Sequence, residues 1–165
     1  MDNIIEKIKP SVYVGTYAKY NNGSIQGKWL DLEDYEDLNS FYSACKKLHK
    51  DEDDPELMFQ DYEYIPSSMI GESFIDEKIY DLLDVVGRSS LDYEVYLAAI
   101  DNGLDYEDLE DHYMGEHDSH EDFTLEMLGE PEPTHFAHHH IDWASCARDY
   151  MLDFYEIEGH YFSNS

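Results

Sequence analysis

The sequence predicts an α+β fold, with two small mixed units flanking a helical module. Runs rich in β-branched and aromatic residues stand near both ends, at Val12–Tyr17 and Phe154–Ser163, as strands require. Between Ser73 and Gly103 the apolar residues recur instead at three-to-four spacing, the mark of helices with one buried face. An aromatic fraction of 15% in 165 residues supplies a core despite a formal net charge of -29, from 39 acids and 10 bases. Disordered acidic chains lack such aromatics.

In chain order, Met1–Lys9 reads as a loose leader and Val12–Tyr17 as the first strand. Lys19-Tyr-Asn-Asn-Gly23 has turn chemistry, because Asn and Gly tolerate positive φ, and Ser24–Leu30 reads as the returning strand. Asp34 is the expected N-cap of a helix to His49, with Leu38, Phe41, Tyr42, Cys45 and Leu48 on its buried face. Lys50–Glu56 is an acidic loop. Leu57–Ile65 reads as a third strand with imperfect alternation, and the unit closes near Pro66.

The helical module follows. Ser73 is the expected cap of a helix to Val86, and Ser89 or Ser90 opens another that ends before Gly103. Asp105 starts a short third helix. His112–Gly115 fits a strand or a helix end equally. Asp118 is the expected cap of Ser119–Leu128, with Glu121 at the capping-box position. Asp142 caps a last helix through Trp143, Cys146, Ala147, Tyr150 and Met151. Phe154–Ser163 forms a hairpin turning at Glu158-Gly159. The expected domains are 1–66, 67–107 and 108–165.

Charge is distributed unevenly. No lysine or arginine stands between Ser89 and Ala147, where there are sixteen acids from Asp92 to Asp142. Seven of the ten bases precede Asp51. Such a balance argues against binding nucleic acid or an anionic membrane, both of which need basic surface, and it suits a basic partner. Cys45 and Cys146 match no zinc spacing. With no signal peptide or apolar span, they read as reduced thiols in a cytoplasmic protein.

The acids suggest a geometry. Asp101, Asp105 and Asp108, like Asp118, Glu121 and Asp122, have three- and four-residue spacings, which on a helix separate neighbours by about 5–6 Å. Phosphates along a DNA strand are comparably spaced, at roughly 6–7 Å. A net charge of -29 equals that of about 50 Å of duplex. A compact sphere of this length is only about 40 Å across, so an elongated chain gives the more DNA-like charge line.

Other chemistries are weaker. His135, His138, His139 and His140 form a cluster downstream of His112, His117 and His120, but there is no His-Glu-x-x-His helix. Asp51–Glu56 is carboxylate-dense yet lacks the glycine and twelfth-position Glu of an EF-hand. No phosphate loop, dinucleotide fingerprint or nucleophile elbow is present. No catalytic residue, metal site or cofactor is assigned. The alternative reading is an acidic metal- or calcium-binding protein using the His135–His140 and Asp51–Glu56 clusters.

Three stretches carry a resemblance. Val12–Trp29 and Asp51–Glu63 resemble the opening half of ArdA-type antirestriction proteins. Asp142-Trp-Ala-Ser-Cys-Ala-Arg-Asp149 is similar to that family's antirestriction motif, and Gly159–Phe162 to its final hairpin. The resemblance implies a DNA mimic encoded on mobile elements, without catalytic activity. Such a protein forms elongated dimers of three small domains per chain and occupies the DNA-binding groove of type I restriction-modification enzymes. It also implies that Asp142, Trp143, Ala147, Arg148 and Asp149 form the motif and dimer contact. Phosphates would be replaced by Asp92, Glu94, Asp101, Asp105, Glu107, Asp108, Glu110, Asp111, Glu116, Asp118, Glu121 and Asp122. The motif departs from the family where His140 and Ile141 replace two aromatics and where Cys146 and Tyr150 replace an aromatic and a leucine. Arg148 is expected to be structural, pairing with Asp142 or Asp149.

Overall fold

The computed structural model describes residues 8–129, 132 and 140–164. It is α+β, with several helices and two small antiparallel sheets. The contacts divide it into two compact units, Met1–Asp101 and Asn102–Ser165. The expected division into three domains is finer than this.

In the first unit, β1 (Ser11–Thr16) is the centre of a three-stranded sheet ordered β2-β1-β3. Its Val12 and Val14 are fully buried. One turn of helix, α1 (Tyr17–Asn21), leads into the expected turn, which falls at Asn22 and Gly23 with Gly23 at φ 79°; the Thr16 hydroxyl caps α1 by accepting from Lys19 N at 3.2 Å. The chain therefore returns late: β2 is Lys28–Asp31, not Ser24–Leu30. Gly27 passes so close to β1 that a Cβ would lie 2.3 Å from the Val14 carbonyl oxygen.

Helix α2 (Leu38–Leu48) starts from Asp37 rather than Asp34, the Asp37 carboxylate accepting from Ser40 N at 2.7 Å. Asp34 lies in a 3-10 turn, Leu32–Asp34. Buried Phe41 on α2 approaches Phe59 on β3 (Leu57–Glu63). The imperfect alternation of β3 has a cause: a bulge pairs Tyr13 with Asp61 but Val14 with Phe59. The extra residue, Gln60, lays its amide over Gly15, where a Cβ would meet it at 2.7 Å.

The middle segment shares this core. Ile70 and Ile75 form a bridge, which holds 73–77 out of a helix, so α3 is Lys78–Arg88 rather than Ser73–Val86. Tyr80 on α3 donates its hydroxyl to the Leu32 carbonyl at 2.9 Å. Helix α4 (Tyr93–Asp101) buries Val95, Tyr96 and Ala99, and the Tyr93 hydroxyl donates to the Tyr64 carbonyl at 2.6 Å. Burial, the first cause, pushes the Tyr80 and Tyr93 hydroxyls above the ordinary phenol range, so both remain donors.

In the second unit, α5 (Leu109–His112) begins four residues later than expected from Asp105. Its end runs directly into β4 (Tyr113–Glu116), so the two readings of 112–115 are both partly right. Helix α6 (His120–Leu128) is capped by Ser119, whose hydroxyl accepts from Asp122 N, one residue after the expected Asp118. Helix α7 (Trp143–Tyr150) is capped by Asp142 as expected. Strands β5 (Phe154–Ile157) and β6 (His160–Ser163) form the expected hairpin. Glu158 and Gly159 turn it with φ of 51° and 85°, the two positive values of a type I′ turn. The sheet is ordered β4-β6-β5. Phe123 of α6 stacks on Tyr161 of β6 at 4.3 Å between centroids, and both are buried.

Candidate functional site

The acids singled out in the sequence lie at the surface. Eleven of the twelve residues from Asp92 to Asp122 are exposed, and Glu121 is half-buried. Carboxylates avoid burial because desolvating a charge is costly, so exposure alone is unremarkable. The composition around them is not: no lysine or arginine stands in Ser89–Ala147, the stretch that carries all twelve. The ion pairs of Lys19 with Asp51 and Glu52 and of Arg88 with Asp84 use none of the twelve.

Their local geometry differs from the expected helical ladders. Asp101 closes α4, while Asp105 and Asp108 lie in the turn before α5. Asp101 also has a structural task, accepting from Ser67 N and Oγ at 3.0 and 3.1 Å. Asp105 accepts from Glu107 N at 3.0 Å. Asp118 lies outside α6, whereas Glu121 and Asp122 stand in its first turn, where the helix dipole favours negative charge.

The motif residues form the start and body of α7. Asp142 accepts from Ser145 N at 3.2 Å and Ser145 Oγ at 2.7 Å. These hydrogen bonds, with a smaller contribution from the Arg148 charge, hold its carboxyl below the usual range. Ala147 is buried, Trp143 half-buried, and Arg148 and Asp149 exposed. Arg148 is thus not the packed structural residue expected: the last turn of α7 points it to solvent, and it acts on Asp142 only through its field.

The clusters behind the metal reading fare differently. His135, His138 and His139 lie outside the described residues, and His140 is exposed. Asp51 and Glu52 approach His49, the three ligand atoms lying within 4.8 Å of one another. Sequence reasoning missed a cation already there. Lys19 Nζ lies 2.8 Å from His49 Nδ1, 2.9 Å from Asp51 Oδ1 and 3.8 Å from Glu52 Oε2. His49 is buried, its Nε2 3.0 Å from the Val14 carbonyl oxygen. Donating there leaves Nδ1 free to accept from the ammonium. An ammonium repels a metal ion from the same donors. Thirty residues separate Lys19 from His49, so no local spacing could have shown the contact.

Cys45 is not poised as a nucleophile. Burial pushes the Cys45 thiol up to about 12, which removes the reactive thiolate at neutral pH.

The antirestriction protein (ArdA) family matches residues 12–163. The chain belongs to the ArdA antirestriction protein family. The match spans both units, so the first sheet and the C-terminal motif belong to one family pattern. No curated protein matches the sequence. Among the described residues no helix is long and apolar enough to cross a membrane.

Proposed function

We propose that this antirestriction protein is a mimic of duplex DNA that occupies the DNA-binding groove of a type I restriction-modification enzyme, at its methyltransferase core. The observation that carries the reading is the exposure of eleven of the twelve acids in a stretch, Ser89–Ala147, without a lysine or arginine. A folded surface that is already charged can use the enzyme's own basic groove, and its affinity falls steeply with salt. Like charge keeps such a surface from binding nucleic acid itself. In this reading the protein is a cytoplasmic inhibitor, not an enzyme. The chain has three small domains, at 1–66, 67–107 and 108–165, and it acts as a homodimer through Asp142, Trp143, Ala147, Arg148 and Asp149.

Competition tests it. The protein is titrated into a purified type I enzyme bound to labelled duplex, at several salt concentrations. Stoichiometric displacement that weakens as salt rises is the expected result. No displacement at low salt and large excess, across several such enzymes, would sink the mimicry.

A further inference from the structure

The second unit contains a small cavity of about 190 Å³ that its acids do not account for. Leu104, Leu109 and Phe162 give it apolar walls, Tyr155 an aromatic one, and Asp105 and Asp108 carboxylates. Phe162 and Leu109 are buried, whereas Tyr155 is 47% exposed. The walls are tied in place. His112 Nδ1 lies 2.9 Å from Ser163 Oγ. Asn164 donates from its backbone N to the Asp153 carbonyl at 3.1 Å and from Nδ2 to the Leu152 carbonyl at 3.1 Å.

The chemistry selects an occupant. A cofactor needs about 300 Å³ or more. An anion meets two carboxylates. A bare metal ion has no use for the apolar walls, and among the described residues the group of donors close enough for one is His49, Asp51 and Glu52, in the other unit. An apolar stem ending in a cation suits the apolar, aromatic and acidic walls together: the leucines and Phe162 would take methylenes, the Tyr155 ring the cation's face, and the carboxylates its charge.

We infer that this cavity takes one arginine side chain of the basic partner. Arginine is preferred to lysine because its planar guanidinium stacks on an aromatic face and pairs bidentately with carboxylate. The partner's identity rests on the mimicry reading; the cavity's preference does not. The surface then combines two contacts of different kind: dispersed phosphate-like charge, and one slot that DNA does not offer.

Two measurements test this. In the first, the isotope-labelled protein is titrated with acetyl-arginine amide and, separately, with its neutral isostere acetyl-citrulline amide. Saturable amide shifts at Leu104, Leu109, Tyr155 and Phe162 with arginine and not citrulline are expected. Shifts scattered over all acidic surfaces without saturation would overturn the slot. In the second, Tyr155→Ala, shown by circular dichroism to be folded, is put through the competition assay. Removing the ring weakens displacement roughly tenfold and leaves the salt slope unchanged, because no charge is lost. Tyr155→Phe, which keeps the ring, restores most of the loss. Asp118→Asn, away from the cavity, lowers the slope by about one. Equal displacement by Tyr155→Ala and the wild type would reject the slot while leaving the mimicry standing. Failure of the wild type to displace DNA would reject the mimicry, and the arginine titration would still decide the slot.

Discussion

The two units carry acid in opposite company. Met1–Asp101 has 22 acids beside nine of the ten bases, including every lysine; Asn102–Ser165 has 17 acids beside Arg148. In the first unit a half-buried lysine, Lys19, is built into the fold among His49, Asp51 and Glu52. In the second, the corresponding work falls to histidine: His117 Nδ1 lies 3.2 Å from Glu126 Oε2, its ring edge-on to Phe123 and Tyr161. The first unit thus resembles an ordinary acidic domain that neutralises what it buries. The second holds its charge on an aromatic core, whose apolar packing offsets the cost of self-repulsion.

The comparison breaks most directly at that core. Phe123→Ala is expected to cost about 3–5 kcal/mol. A unit the length of Asn102–Ser165 has only about 3–10 kcal/mol in hand. Hydrogen exchange reads the result: protection lost in the second unit and kept in the first is expected. Loss in both would show that the two fold together and that the contrast is not one of independent units.

Lys19→Met is the next largest. It leaves His49 buried without its donor and Glu52 Oε2, which has no hydrogen bond, without its nearest cation. Thermal unfolding of the first unit falls to lower temperature, by less than Phe123→Ala lowers the second. The Lys19 hydrogen bond also holds the Asp51 carboxyl below the usual range. A depressed carboxylate contributes stability above its unfolded pKa and loses it as pH falls through the folded value. In Lys19→Met, Asp51 titrates nearer its ordinary value by NMR, and that acid-labile contribution disappears. An Asp51 titration that did not move would mean the ammonium is not what holds it. Calcium or zinc added to the wild type gives no saturable calorimetric site at His49, Asp51 and Glu52; a stoichiometric one lost in His49→Gln would restore the metal reading.

Neutralising Asp118, Glu121 and Asp122 as amides sharpens the other half of the contrast. The salt slope of displacement falls by up to about three, with little change in circular dichroism. An unchanged slope would place these acids outside the partner's contact. The smallest effect belongs to Ser145→Ala. Removing its hydroxyl bond lets the Asp142 carboxyl rise toward the ordinary range, so the stability it lends α7 above its unfolded pKa is lost at higher pH on acidification. An NMR titration of Asp142 checks the direction.

What the sequence made legible were elements with one dominant local signal. Asp142 before an apolar-faced run and Glu158-Gly159 between two aromatic runs have no nearby competitor, and α7 and the last hairpin appear where expected. The first long helix takes its cap three residues beyond the expected one. Asp37 serves it, while Asp34 lies in a 3-10 turn that buries Leu32, the residue whose carbonyl Tyr80 later binds. That contact spans 48 residues and leaves no local trace. The Ile70–Ile75 bridge displaced α3 in the same way. For the surface, acids could be counted but not placed, because a turn rather than a helix carries Asp105 and Asp108. The cavity needs 104–112 beside 155–164, an adjacency made by the pairing of β4 with β6.

The confinement of lysine to the first unit has a practical reach. Amine-directed chemistry finds no lysine side chain between Asn102 and Ser165. Cross-linkers of that kind report on the first unit, and carbodiimide coupling through carboxylates is needed to see the second. The same asymmetry is useful at a sensor surface. Immobilisation through lysine tethers the molecule by Met1–Asp101 and leaves the carboxylates and the cavity of the second unit chemically untouched.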